Sequence, residues 1–122
     1  MKIQESAENY LETILMLNLR NPPVRSIDIV NELLVTKPSV SVAMKNLREN
    51  GYVEMDDEGF ITLTPKGREI AESMYERHTL LTKWLEGIGV SSEIAAEDAC
   101  RIEHVISAET FEAIKKLYTS SI

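Results

Sequence analysis

Two points of punctuation, Val35-Thr36-Lys37-Pro38 and Asn50-Gly51, constrain the fold of this chain more than any other feature. The first is a tight turn running into a proline, which is tolerated in the opening turn of a helix but not deeper. The second ends in a glycine suited to close a helix in the left-handed conformation. Between them Val40, Met44 and Leu47 recur at helical spacing, so a helix is expected from Pro38 to about Asn50. Upstream, Ser26 is a suitable N-cap for a short helix over 27–34, with Ile27, Val30, Leu33 and Leu34 as its buried set. Downstream, the apolar segments 52–55 and 60–63 flank Asp56-Asp57-Glu58-Gly59, which reads as a two-stranded hairpin. A short helix, a tight turn, a second helix and a hairpin is the order of a winged helix-turn-helix.

The remaining segments are helical. Tyr10, Leu11, Ile14, Leu15 and Leu17 place a helix over 4–19, ended by Asn21-Pro22-Pro23. Thr64 and Pro65 cap and open a long helix to about Glu86, where Gly87 and Gly89 mark its end. Ser91 starts another helix through Val105, and Ser107 caps a last one ending near Tyr118. The expected fold is mainly α with a small β-hairpin. An N-terminal winged helix-turn-helix domain (1–64) is followed by a helical domain (65–122).

A net charge of −7 argues against a nucleic-acid binder until its distribution is considered. Residues 1–50 carry six bases and six acids, 51–76 two against seven, and 77–122 five against seven. The segment 36–48 holds Lys37, Lys45 and Arg48 and no acid, a local basic stripe on an acidic body. With Val40, Met44 and Leu47 turned to the core, Ser39, Val42, Lys45 and Asn46 point outward. Ser39 suits a base edge or phosphate and Val42 a thymine methyl. Lys37, Lys45 and Arg48 suit the backbone. With Thr36 and Pro38 at the turn, the candidate DNA-binding set is Thr36, Lys37, Pro38, Ser39, Val42, Lys45, Asn46 and Arg48. The acidic hairpin tip, Asp56 to Glu58, is expected to contribute little.

Chemistry of another kind sits at Cys100, Glu103 and His104. On a helix the spacings i, i+3 and i+4 stack these three on one face. A thiolate, a carboxylate and an imidazole suit a borderline divalent ion. The single cysteine excludes an internal disulfide, leaving Cys100 as a core thiol, a ligand or a sensor thiol. No long apolar run and no signal-peptide pattern is present, so a cytoplasmic protein with no membrane partner is expected.

Taken together, Glu8-Asn9-Tyr10-Leu11-Glu12, Leu63-Thr64-Pro65-Lys66-Gly67, Glu76-Arg77-His78-Thr79-Leu80-Leu81 and Ala99-Cys100-Arg101-Ile102-Glu103-His104-Val105 resemble the diphtheria-toxin-repressor family of metal-dependent regulators. The likeness is strongest to its manganese-transport-regulator branch, in a short form without the SH3-like domain. The resemblance implies metal ligands at Asn9, Glu12, His78, Cys100, Glu103 and His104. Asn9 offers a neutral carbonyl oxygen where relatives have an aspartate or a methionine. Glu12 and His78 resemble the manganese branch and Cys100 the iron-responsive branch, a hybrid.

The implied function is a homodimeric repressor of metal-homeostasis genes, binding a palindromic operator in double-stranded DNA when loaded with Fe2+ or Mn2+. Zn2+, Co2+ or Ni2+ would substitute in vitro. Leu80, Leu81, Trp84, Leu85, Ile88, Ile94, Val105 and Ile106 exceed the apolar needs of one small domain, which favours a dimer. An enzyme acting on a small-molecule substrate is not expected: there is no His-Glu-x-x-His pattern and no Gly-rich phosphate loop. The competing reading is a winged-helix redox regulator using Cys100 without metal.

Overall fold

The computed structural model describes residues 5–120. Gln4, assigned to the first helix by its sequence pattern, and the outer ends of the two expected domains lie outside that range. The elements in order are α1 (Glu5–Arg20), α2 (Ser26–Leu33), α3 (Lys37–Glu49), β1 (Val53–Met55), β2 (Ile61–Leu63), α4 (Pro65–Gly87), α5 (Ser92–Val105) and α6 (Ala108–Ser120). Two compact units divide the chain, Met1–Ser73 and Met74–Ile122.

In the N-terminal unit α1, α2, α3 and the hairpin surround one core. Leu11, Ile14 and Leu15 of α1, Ile29 of α2, and Val40, Met44 and Leu47 of α3 join Val24, Tyr52, Val53 and Ile61. The α3 stripe is the one its spacing predicts. The α2 stripe is met only in part: Val30 and Leu33 pack partly buried against this core, whereas Ile27 and Leu34 are exposed and Ile29 is fully buried. The reason lies at the two ends of the helix. The N-cap is Arg25, not Ser26, and its amide donates to Asp28 Oδ2 at 2.8 Å. At the C-terminus Leu34 adopts φ 55°, ψ 44°, the left-handed conformation, and is 89% exposed.

The turn into α3 is tighter than its sequence pattern predicts. Thr36 is the N-cap, its hydroxyl accepting from the Ser39 amide at 3.3 Å, and Lys37 and Pro38 form the first turn. Gly51, at φ 80°, releases the chain into β1. The strands pair antiparallel with Val53 opposite Leu63 and Met55 opposite Ile61. Asp56 Oδ1 accepts from the amides of Glu58 and Phe60, both at 2.9 Å, and so closes the hairpin loop.

Thr64 caps α4, accepting from the Gly67 amide at 3.1 Å while its own hydroxyl donates to the Gly51 carbonyl at 2.6 Å. A Cβ at Gly67 would overlap the Tyr52 carbonyl oxygen, so only glycine fits there. This close approach, with Ala71 buried in the same core, places the first turns of α4 in the N-terminal unit.

In the C-terminal unit Leu81 of α4, Ala99 of α5 and Phe111 of α6 form a small core, flanked by Leu80, Trp84, Ile102, Ile106 and Ile114. The Ser107 hydroxyl caps α6 by accepting from the Thr110 amide at 3.1 Å. Several apolar residues stay outside this core: Ile88, Ile94 and Val105 are exposed.

Candidate metal centre and nucleic-acid face

The centre of the C-terminal unit is Glu103. Its side chain is wholly inaccessible, and an isolated buried carboxylate costs several kcal/mol unless it is paired or bound to a cation. Two imidazoles flank it. His78 Nδ1, from α4, lies 3.0 Å from Glu103 Oε2, and His104 Nε2 stands 3.3 Å from Glu103 Oε1. Oε1 nevertheless accepts no hydrogen bond of acceptable geometry among the described residues.

One ligand atom from each of Cys100, Glu103 and His104 lies within 4.8 Å of the other two. The helical spacing i, i+3, i+4 is therefore realised on α5, and the thiol, carboxylate and imidazole converge. Sulfur, oxygen and nitrogen donors together suit a borderline divalent ion. A buried carboxylate oxygen without a hydrogen bond is what such an ion answers. The residues present fit a divalent metal.

Asn9 and Glu12 lie one turn apart on α1 in the N-terminal unit. Glu12 is 4% exposed, and the Asn9 carbonyl accepts from the Thr13 hydroxyl at 2.8 Å.

Sequence reasoning missed Arg77. Its guanidinium Nη1 donates to the carbonyls of Glu103 and Ile106, both at 3.0 Å, and its Cζ lies 5.3 Å from the centre of the Phe111 ring. The only sequence signal was its place beside His78, because its partners are backbone carbonyls and leave no trace in residue types.

On α3 all eight candidate DNA-binding residues are exposed: Thr36, Lys37, Pro38, Ser39, Val42, Lys45, Asn46 and Arg48. Val42 is 60% exposed although apolar. The Thr36 and Ser39 hydroxyls are 2.7 Å apart and share a hydrogen bond, so both are partly committed to the helix start. Arg48 reaches the wing, with Nη1 3.8 Å from Met55 Sδ.

Comparison with known proteins agrees with this division of labour. Residues 2–59 match the iron-dependent-repressor N-terminal DNA-binding domain. Residues 64–120 match the iron-dependent-repressor metal-binding and dimerisation domain. The transcriptional regulator MntR of Salmonella typhimurium is 34% identical over 110 residues, which cover 90% of this chain and 70% of that protein.

The chain belongs to the iron-dependent-repressor family.

Within that family, an uncharacterized HTH-type transcriptional regulator of Methanocaldococcus jannaschii is 33% identical over 115 residues, covering 93% of this chain and 92% of the relative. Among solved structures, the manganese regulator SloR superposes with a TM-score of 0.82 at 28% identity, over 98% of this chain and 55% of that one. A manganese-dependent transcriptional repressor in complex with manganese gives 0.83 at 27% identity, over 90% and 51%. The chain thus spans about half the length of these solved relatives.

Family membership carries the function class: a metal-dependent transcriptional repressor with a divalent-metal-binding domain, among regulators rather than enzymes. The competing redox reading finds no support, because Cys100 stands in a donor set within a metal-binding domain. No helix among the described residues is long and apolar enough to cross a membrane.

Proposed function

We propose that this protein is a cytoplasmic homodimer that represses metal-homeostasis genes by binding palindromic operators when loaded with Fe2+ or Mn2+. The observation that carries the reading is Glu103, a fully buried carboxylate between two imidazoles, on the same helix face as Cys100. His78, Cys100, Glu103 and His104 would hold the ion, with Asn9 and Glu12 as the further ligands that the family resemblance implies. When bound, the ion supplies positive charge and a fixed coordination preference.

The chain's own residues supply the rest. The acid-free, exposed face of α3 offers Lys37, Lys45 and Arg48 to phosphates and Ser39, Val42 and Asn46 to base edges, with Thr36 and Pro38 shaping the approach. Exposed Ile88, Ile94 and Val105 favour a second copy of the chain as the partner of the C-terminal unit. Two-fold symmetry would then set the two α3 helices about one turn of DNA apart, roughly 34 Å.

Metal choice follows from the donors. The Cys100 thiolate favours Fe2+, and also Co2+, Zn2+ or Ni2+ in vitro, while the carboxylates of Glu12 and Glu103 accept Mn2+. The relatives named for manganese support Mn2+ as the alternative.

The test is operator binding under anaerobic conditions, using palindromic DNA from upstream of the protein's own gene. Affinity is expected to rise with Fe2+ or Mn2+ and to fall again with chelator. Equal affinity with and without metal at every salt concentration would overturn the proposal.

A further inference from the structure

Helix α5 ends just where its ligands sit. Glu103 and His104 occupy its last turn, and Ile106, in extended conformation at φ −80°, ψ 151°, leaves it. Carbonyls in a final turn have no helical amide to accept from, and a side chain, water or a tightened turn must satisfy them. Here that side chain is Arg77. One guanidinium nitrogen bonds the carbonyl of Glu103 itself and that of Ile106, each at 3.0 Å. The guanidinium carbon stands 5.3 Å from the ring centre of Phe111 of α6, which is buried. Arg77 is also the chain neighbour of His78, whose Nδ1 meets Glu103 Oε2 at 3.0 Å. A single turn of α4 therefore carries one candidate ligand and the clamp that fixes the backbone of another.

We propose that Arg77 is a positioning residue for the metal centre: it locks the last turn of α5 against α4 and α6, so that the donors of Glu103 and His104 are held in place before an ion arrives. The inference rests on the metal-binding reading above. Its physical basis is that donor atoms must be placed to within about 0.5 Å, and supporting residues supply that precision. A guanidinium suits the task because the two hydrogens of Nη1 reach both carbonyls while the planar group stands over an aromatic ring. A lysine ammonium cannot reproduce that geometry.

The experiment titrates Co2+ alone into the full-length metal-free wild type, Arg77→Met and Arg77→Lys. Affinity is read by competition with a chelating dye, and the thiolate-to-cobalt and d–d absorption bands report the ligand set. Far-UV circular dichroism and thermal unfolding of the metal-free proteins are recorded in parallel. Arg77→Met is expected to keep its helical content, to bind Co2+ about 10- to 100-fold more weakly and to show altered bands. Arg77→Lys should recover only part of the loss.

A merely structural arginine would lower the thermal transition of both variants and leave affinity and bands at wild-type values, which overturns the proposal. If Arg77→Met does not fold, Arg77→Lys decides alone: weakened affinity with altered bands supports it, and wild-type binding overturns it. Wild type that takes up no Co2+ removes the metal-binding reading itself, and this inference with it. Wild type that binds, alongside variants that bind equally well, removes only the role of Arg77.

Discussion

Glu103→Gln separates what the buried carboxylate does for the fold from what it does for the site. The amide keeps the length and shape of the side chain and can still bond His78, but it carries no charge. An effective burial penalty of several kcal/mol per ion is removed. In exchange, the charge-assisted hydrogen bond at 3.0 Å from His78 falls from about 1.5–3 to about 0.5–1.5 kcal/mol. The difference predicts a metal-free variant about 1–2 kcal/mol more stable than wild type. For a chain of this size that raises the thermal midpoint by about 4–8 °C.

Metal should reverse the order. At 100 times its Kd an ion that binds only the folded state adds about 2.7 kcal/mol to wild type. Glu103→Gln, lacking the anionic donor, should gain well under about 1 kcal/mol at the same concentration. Thermal and urea unfolding, each with chelator and with excess Mn2+ or Co2+, measure all four states. A metal-free Glu103→Gln protein less stable than wild type by about 1 kcal/mol or more would refute the reasoning, because the carboxylate would then be a structural hydrogen-bond centre.

Other substitutions test separate parts of the argument. Leu34 holds a left-handed conformation while 89% exposed; Leu34→Gly should relieve about 1–2 kcal/mol of backbone strain, leaving roughly 0.5–1 kcal/mol after the added unfolded-state entropy. Denaturant melts read that gain. Cys100→Glu should shift relative affinity from Fe2+ towards Mn2+, and unchanged affinity ratios in competitive titration would remove the thiolate from the ligand set. Neutralising the wing tip as Asp57→Ser with Glu58→Ser should strengthen operator binding at about 10 mM salt, where screening reaches about 30 Å, and not at about 150 mM; a gain that persists at the higher salt would mean the tip touches DNA. The Lys115 ammonium is held above its ordinary pKa chiefly by its hydrogen bond to Glu76 at 2.8 Å, and then by that carboxylate's charge. Its contribution is therefore present at neutral pH and lost as pH rises through the raised pKa, so the stability difference between wild type and Lys115→Ala should shrink in strongly alkaline buffer.

Local spacing carried most of what could be foreseen. Val40, Met44 and Leu47 fell on the core side of α3, and Cys100, Glu103 and His104 converged, because each set needs only helix geometry to meet. The α2 stripe held at Val30 and Leu33 and failed at Ile27 and Leu34. Ile27 and Leu34 fit a helical period as well as Ile29 does, and nothing in residue types announces that Arg25 opens the helix or that Leu34 turns left-handed. Thr36 was read as part of the turn because Pro38 gave the stronger start signal, although its hydroxyl caps α3. His78 and Glu103 are 25 residues apart, so their contact was implied by family resemblance and not by spacing. Arg77 was invisible for a different reason: it bonds backbone, which every residue offers equally.

The two acidic features of the chain differ in kind, and the difference explains which one a cation can change. Asp56 spends its charge on the amides of Glu58 and Phe60 in an exposed loop, where water and those donors already satisfy it. Its cost to DNA binding is a standing one. Glu103 is fully inaccessible and keeps one oxygen without a hydrogen bond among the described residues, so the two flanking imidazoles answer its charge only in part. A cation bound there would lower the energy of the folded C-terminal unit and reduce the −7 that opposes approach to phosphate. Folding stability and affinity for DNA would then be raised by the same event. Glu103→Gln should uncouple them: a stable protein whose operator affinity no longer answers to metal.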